Sequence, residues 1–158
     1  MEGKMLTREI VLSQIAADCN EASNVTSIYV LNASLPFDNE NGTLFEGLFQ
    51  VQELAIWYSP NLQLSSRLLE DQDNLKTIMF EHNNMPTSFP ADFFSQTPYV
   101  ETLMIQYNNL TSIPPTLFAG MGSYLEFLYL DSNLISEFSA EQFIDLRWLE
   151  TSSSTTTL

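Results

Sequence analysis

Leu75, Val100 and Leu125 stand 25 residues apart, and each opens the same side-chain pattern. The three segments are LKTIMFEHNNM, VETLMIQYNNL and LEFLYLDSNLI. Counting the opening residue as zero, offsets 0, 3, 5 and 10 are apolar and offset 8 is asparagine: Asn83, Asn108 and Asn133. Each unit then runs on alike, through SFPADFF, SIPPTLF and EFSAEQF, to a phenylalanine at Phe93 or Phe94, Phe118 and Phe143. Two looser units precede them. VTSIYVLNA starts at Val25 and VQELAIWYS at Val51, with Ala33 and Ser59 where asparagine is expected. A fixed period of this length is the signature of a stacked array, in which one unit cannot bury its apolar edge but neighbouring units can.

Offsets 3 and 5 alternate as a strand does, so they point inward together while offsets 2, 4 and 6 point outward. The spacing LxxLxLxxNxL resembles the leucine-rich repeat family. More narrowly it resembles the typical subfamily of roughly 24-residue units found in secreted animal proteins and receptor ectodomains. The resemblance implies an α/β repeat solenoid, a horseshoe with a parallel sheet on its concave face and an irregular or short-helical convex side. It divides the chain into an N-terminal helix or cap over 1–24, repeats over 25–148 (starts near 25, 51, 75, 100 and 125) and a disordered polar tail over 149–158. Thr7 is placed to N-cap a short helix towards Asp18, with Ile10, Val11 and Ile15 on one side. Cys19, the chain's single cysteine, cannot form an internal disulfide or a zinc cage. It fits a half-buried free thiol or the remnant of an N-terminal cap.

The register makes two statements about the interior. Leu103, Ile105, Leu128 and Leu130 are expected to be almost wholly buried. The recurrent asparagine is expected to bond backbone groups between coils, a ladder that Ala33 and Ser59 should interrupt, leaving the first two coils irregular or more mobile. At the other end, a sixth unit starting near Leu149 has Ser152 and Ser154 at its core positions. An apolar edge around Leu128, Leu130, Leu146 and Trp148 is therefore expected to stay open and to favour self-association.

Offsets 2, 4, 6 and 7 map the concave face, a surface roughly 20 Å across for five strands. They place Tyr29, Trp57, Tyr58, Met79, His82, Met104, Tyr107, Phe127 and Tyr129 together, with Glu53, Glu81 and Asp131 among them and no lysine or arginine. Aromatic and methionine side chains exposed on a rigid sheet mark an interaction surface, and these nine are the candidate ligand-binding residues. His82, between two tyrosines of its column, reads as a hydrogen-bonding neighbour rather than a base or ligand.

Charge limits the partner. Five Lys and Arg stand against twenty Asp and Glu, for a net charge of −15. That balance excludes a phosphate backbone as ligand and disfavours an anionic membrane surface. No apolar run is long enough for a membrane helix, and a basic protein is favoured. Glu70, Asp71 and Asp73 read as a solvated loop, since no calcium-loop spacing accompanies them. No nucleophile elbow, phosphate loop or metal-spaced histidine pair occurs, and Glu53, Glu81 and Asp131 lack the enclosed pocket that tunes a catalytic carboxyl. The expectation is a non-catalytic module, with no metal or cofactor, that recognises a protein or a glycan on its concave face. The alternative is a regulatory or scaffolding subunit of a larger complex. Four glycosylation sequons, at Asn24, Asn32, Asn41 and Asn109, and the repeat subtype favour an extracellular protein. The MEGKMLTREIVL start, which lacks the form of a signal peptide, leaves a cytoplasmic one as the alternative.

Overall fold

Each repeat contributes one strand, because alternation at offsets 3 and 5 buries every second side chain while leaving the backbone free to pair with the coils on either side. The computed structural model describes residues 4–5, 10–11, 24–35, 44–60 and 62–149. Strand β1 (Lys4–Met5) precedes β2 (Ser27–Leu31), β3 (Ala33–Ser34), β4 (Glu53–Trp57), β5 (Thr77–Glu81), β6 (Thr102–Met104) and β7 (Phe127–Tyr129). Five of them form one sheet in the order β2-β4-β5-β6-β7, parallel throughout. The register aligns Ser27, Glu53, Thr77, Thr102 and Phe127, each two residues after the opening apolar residue of its unit.

Behind the sheet, Val51, Leu54, Ile56, Leu75, Ile78, Phe80, Val100, Leu103, Ile105 and Leu125 are buried in a single core. The phenylalanines that end the repeats line its other side. Phe93 packs edge-on against Phe80, Phe89 and Phe94, and Phe118 stacks on Phe143. Little helix is needed to return the chain. The described connections are turns plus two 3-10 segments, Ser66–Leu69 and Ala140–Phe143. Ser65 caps the first by accepting from the Arg67 amide at 3.2 Å. Ser139 and Gln142 form a reciprocal capping box on the second, and the Gln142 amide also bonds the Ile113 carbonyl of the previous coil.

The asparagines form the expected ladder. Asn108 donates to the carbonyls of Phe80 (2.7 Å) and Gln106 (2.8 Å) and accepts from the Asn83 amide (2.9 Å). Asn83 donates to Ile56 (2.8 Å) and accepts from Ser59 (2.8 Å). Asn133 accepts from Leu110 and donates to Ile105 and Leu130.

Three expectations need correction. Ser59 does not break the ladder: its hydroxyl is buried, donates to Trp57 at 3.2 Å and accepts from the Ala33 amide at 3.3 Å. A hydroxyl is shorter than an amide but offers both a donor and an acceptor, so the first two coils pair regularly over five residues. Leu128 and Leu130 are only half-buried, unlike Leu103 and Ile105, because no described coil follows β7. Ala55, at an outward-facing offset, is wholly buried; its methyl group lies in register between the far larger Tyr29 and Met79.

At the N-terminal side, Ile10 and Val11 are helical, and Val11 packs partly buried on the core. Thr7, Ile15, Asp18 and Cys19 lie outside the described residues, as do 150–158 of the expected tail. The sequence pattern does not announce the parallel pairing of β1 with β3, Lys4 opposite Ala33 and Met5 opposite Ser34.

Candidate binding face

The outward-facing rows meet as the register requires. At offset 7, successive coils carry Asn32, Tyr58, His82, Tyr107 and Ser132, and all five have left-handed backbones, with φ of 51°, 51°, 54°, 54° and 57°. For non-glycine residues this conformation costs roughly 1–2 kcal/mol each. Here it turns the amides of the first four towards the next coil. Asn32 donates to Trp57 (3.0 Å), Tyr58 to Glu81, His82 to Gln106 and Tyr107 to Asp131 (3.3 Å each). A net hydrogen bond and an aromatic stack are each worth about 0.5–1.5 kcal/mol, the same order as the strain.

The left-handed turn also swings three rings into one pile. Tyr58 and His82 stack at 4.8 Å with planes 6° apart, and His82 and Tyr107 at 4.4 Å and 7°. These spacings follow the strand interval of about 4.8 Å, so the pile is fixed by the sheet. All three side chains are exposed.

A second pair sits on the first two coils. Tyr29 and Trp57 stack at 5.7 Å and 6°. The Tyr29 hydroxyl donates to Glu53 Oε2 at 2.6 Å, and Ser27 Oγ donates to the same oxygen at 3.4 Å. The bond to the Glu53 carboxylate holds the Tyr29 phenol above its ordinary pKa of 10.0, because ionising it would break the bond and set two anions together. Met79, Met104 and Tyr129 continue the row of Tyr29 in register, Phe127 ends the row of Glu53, and all four are half-buried. All nine expected residues therefore share one face, Tyr29, Tyr58, His82 and Tyr107 the most open. The identical offset of the three ring residues was visible in the sequence. The left-handed turn and the carboxylate-bound phenol were not.

Other candidates fall elsewhere. Glu70 pairs with Arg67 at 3.2 Å, and Asp71 is exposed with φ 63°; among the described residues no group of three His, Cys, Asp or Glu is placed to hold a metal. Asn24, Asn32 and Asn109 are exposed, and Asn109 donates to Asn84 of the previous coil. Asn41 lies outside the described residues. Among those residues, no helix is long and apolar enough to cross a membrane.

A leucine-rich repeat family model matches residues 98–151. No curated protein matches the chain significantly. Among solved structures, the Toll–Spatzle complex of Drosophila aligns with a TM-score of 0.66 and 21% identity, covering 92% of this chain and 21% of that one. Its glycosylated form aligns at 0.61 and 22%, covering 94% and 25%. The leucine-rich repeat domain of APL1B aligns at 0.64 and 20%, covering 88% and 38%. The chain thus spans well under half the length of these structures, and the likeness is one of fold. Period, asparagine rungs, the family match over residues 98–151 and the shared parallel-sheet solenoid make this chain similar in fold to leucine-rich repeat proteins.

Proposed function

We propose that the chain is a non-catalytic binding module that recognises a protein ligand on its concave face, outside the cell. The observation that carries the reading is the Tyr58–His82–Tyr107 pile: exposed rings held in place by strained backbone and strand spacing. Pre-ordered aromatic area costs little further entropy on binding, which is what an interface anchor requires. Glu53, Glu81 and Asp131 stand among the rings with no positive charge in the rows, so the favoured ligand is basic. The solved Toll–Spatzle complex supports the reading as an example of this fold in a protein assembly. The exposed sequons at Asn24, Asn32 and Asn109 support the compartment; a mobility shift on treatment with a peptide N-glycosidase, absent in N24Q/N32Q/N41Q/N109Q, tests it.

The binding test is capture on the immobilised protein, identification of the bound ligand and comparison of variants. Tyr58→Ala and Tyr107→Ala should each weaken the ligand about tenfold or more while leaving the melting temperature nearly unchanged. Tyr99→Ala, which removes an exposed ring outside the strands, should do neither. Equal losses from all three would overturn the concave-face assignment, and lost folding in place of lost binding would make the pile a packing device.

A further inference from the structure

The ring pile is incomplete at one end. Tyr107 stacks on His82 through the face turned towards the third repeat, and its other face looks along the solenoid towards the fifth. There the same offset carries Ser132, whose backbone is left-handed like the others but whose side chain is short and exposed. No other ring lies against Tyr107 among the described residues. The strand interval leaves a slot over Ser132, about 4.8 Å from the Tyr107 ring, where a fourth planar group fits the pile.

The chemistry beside the slot is anionic. Asp131 precedes Ser132, and the Gln106 side-chain amide donates to its Oδ1. That bond fixes the carboxylate at Gln106, the residue before Tyr107, and leaves Oδ2 without a described partner. At the opposite end of the pile, Tyr58 faces Asn32, preceded by the apolar Leu31. The two ends therefore differ, and only one joins a free aromatic face to an oriented carboxylate.

We propose that this end takes the guanidinium of an arginine side chain on the protein ligand, stacked on Tyr107 over Ser132 and paired with Asp131. The proposal rests on the concave-face reading and names its chemistry. Guanidinium is planar, always charged and weakly hydrated, so it satisfies a ring face and a carboxylate together; ammonium is a compact, strongly hydrated point charge that stacks poorly. The chain's net charge of −15 favours the same sign of partner.

The test is an NMR titration of the full chain with N-acetyl-arginine amide, in parallel with N-acetyl-lysine amide and with N-acetylglucosamine. The arginine probe should shift the Tyr107, Asp131 and Ser132 amides at a concentration at least threefold below that needed for the lysine probe. Asp131→Asn should weaken the arginine response severalfold. Ser132→Tyr, which supplies the fourth ring itself at a backbone angle that Tyr58 and Tyr107 already adopt, should abolish it, with the rest of the spectrum unchanged in both variants. Equal responses to arginine and lysine, or an undiminished response in Ser132→Tyr, would overturn the proposal. So would stronger shifts from the sugar, which would assign the slot to a glycan. If the probes fail while Tyr58→Ala still weakens the captured ligand, the arginine slot falls and the concave-face reading stands.

Discussion

At the scale of single residues, burial separates positions that look alike in the sequence. Asn108 and Asn109 are adjacent, yet one amide is buried with three backbone partners and the other is exposed beside Asn84. Asn108→Ala strands those partners and should cost about 1–3 kcal/mol, whereas Asn109→Ala should be nearly silent; denaturant melts of the pair check this. Tyr29 gives a spectroscopic prediction. Its ionisation lies above 10.0 because it donates to Glu53, so Glu53→Gln should move the ultraviolet titration of one tyrosine to lower pH. The sign for stability follows: a raised folded pKa favours the fold while the phenol is protonated, and that contribution is lost as pH climbs through it. Much at this scale was legible. Offset 8 named the ladder, because few side chains other than an amide can donate and accept within one turn. The rung at Ser59 was not legible, since serine is ordinarily a surface residue and only its burial shows the hydroxyl in use. The left-handed turn at Tyr58, His82 and Tyr107 was hidden for a related reason: tyrosine does not favour positive φ, one histidine is a weak signal for it, and the bonds between coils accompany it at all three.

At the scale of elements, position in the stack decides what a leucine is worth. Leu103 and Leu128 occupy the same offset and pair in register. The first is wholly buried and the second half-buried. Leu103→Ala should cost about 2–5 kcal/mol through lost transfer energy and a cavity, and Leu128→Ala distinctly less; equal losses in parallel melts would show that something covers β7. Besides the Gln142–Ile113 bond and the Phe118–Phe143 stack, a close backbone approach fastens the C-terminal turns. A methyl group at Gly122 would collide with the Asp145 carbonyl, and the Gly122 carbonyl accepts from Arg147 at 3.2 Å. Gly122→Ala should therefore undock the segment around 140–149, raising hydrogen exchange at Gln142 and Leu146 before it affects β5. The pattern of apolar offsets could announce the strands but not this contact, which joins a glycine of one coil to the backbone of the next.

At the scale of the molecule, the described solenoid ends on an edge. Among the described residues strand β7 is paired on one side only, and Leu134, Ile144 and Trp148 are exposed while Leu130 and Leu146 are half-buried. An open strand beside apolar side chains is a template for pairing, so the isolated chain should self-associate, with a weight-average mass in sedimentation that rises with concentration. Concentration-independent sedimentation as a monomer would show the edge to be covered. The register carries a further consequence for how such a chain can change. Aligned strand residues are separated by 26 residues from Ser27 to Glu53, 24 from Glu53 to Thr77, and 25 from Thr77 to Thr102 and from Thr102 to Phe127. The returning turns therefore already absorb gains and losses of one residue. Within a strand the same change would turn every following side chain to the opposite face until the chain reached its turn. Descent by copying is open to this molecule only in whole windings: a duplicated winding inserts as one more plank of the sheet, while a lone extra codon survives only on the back.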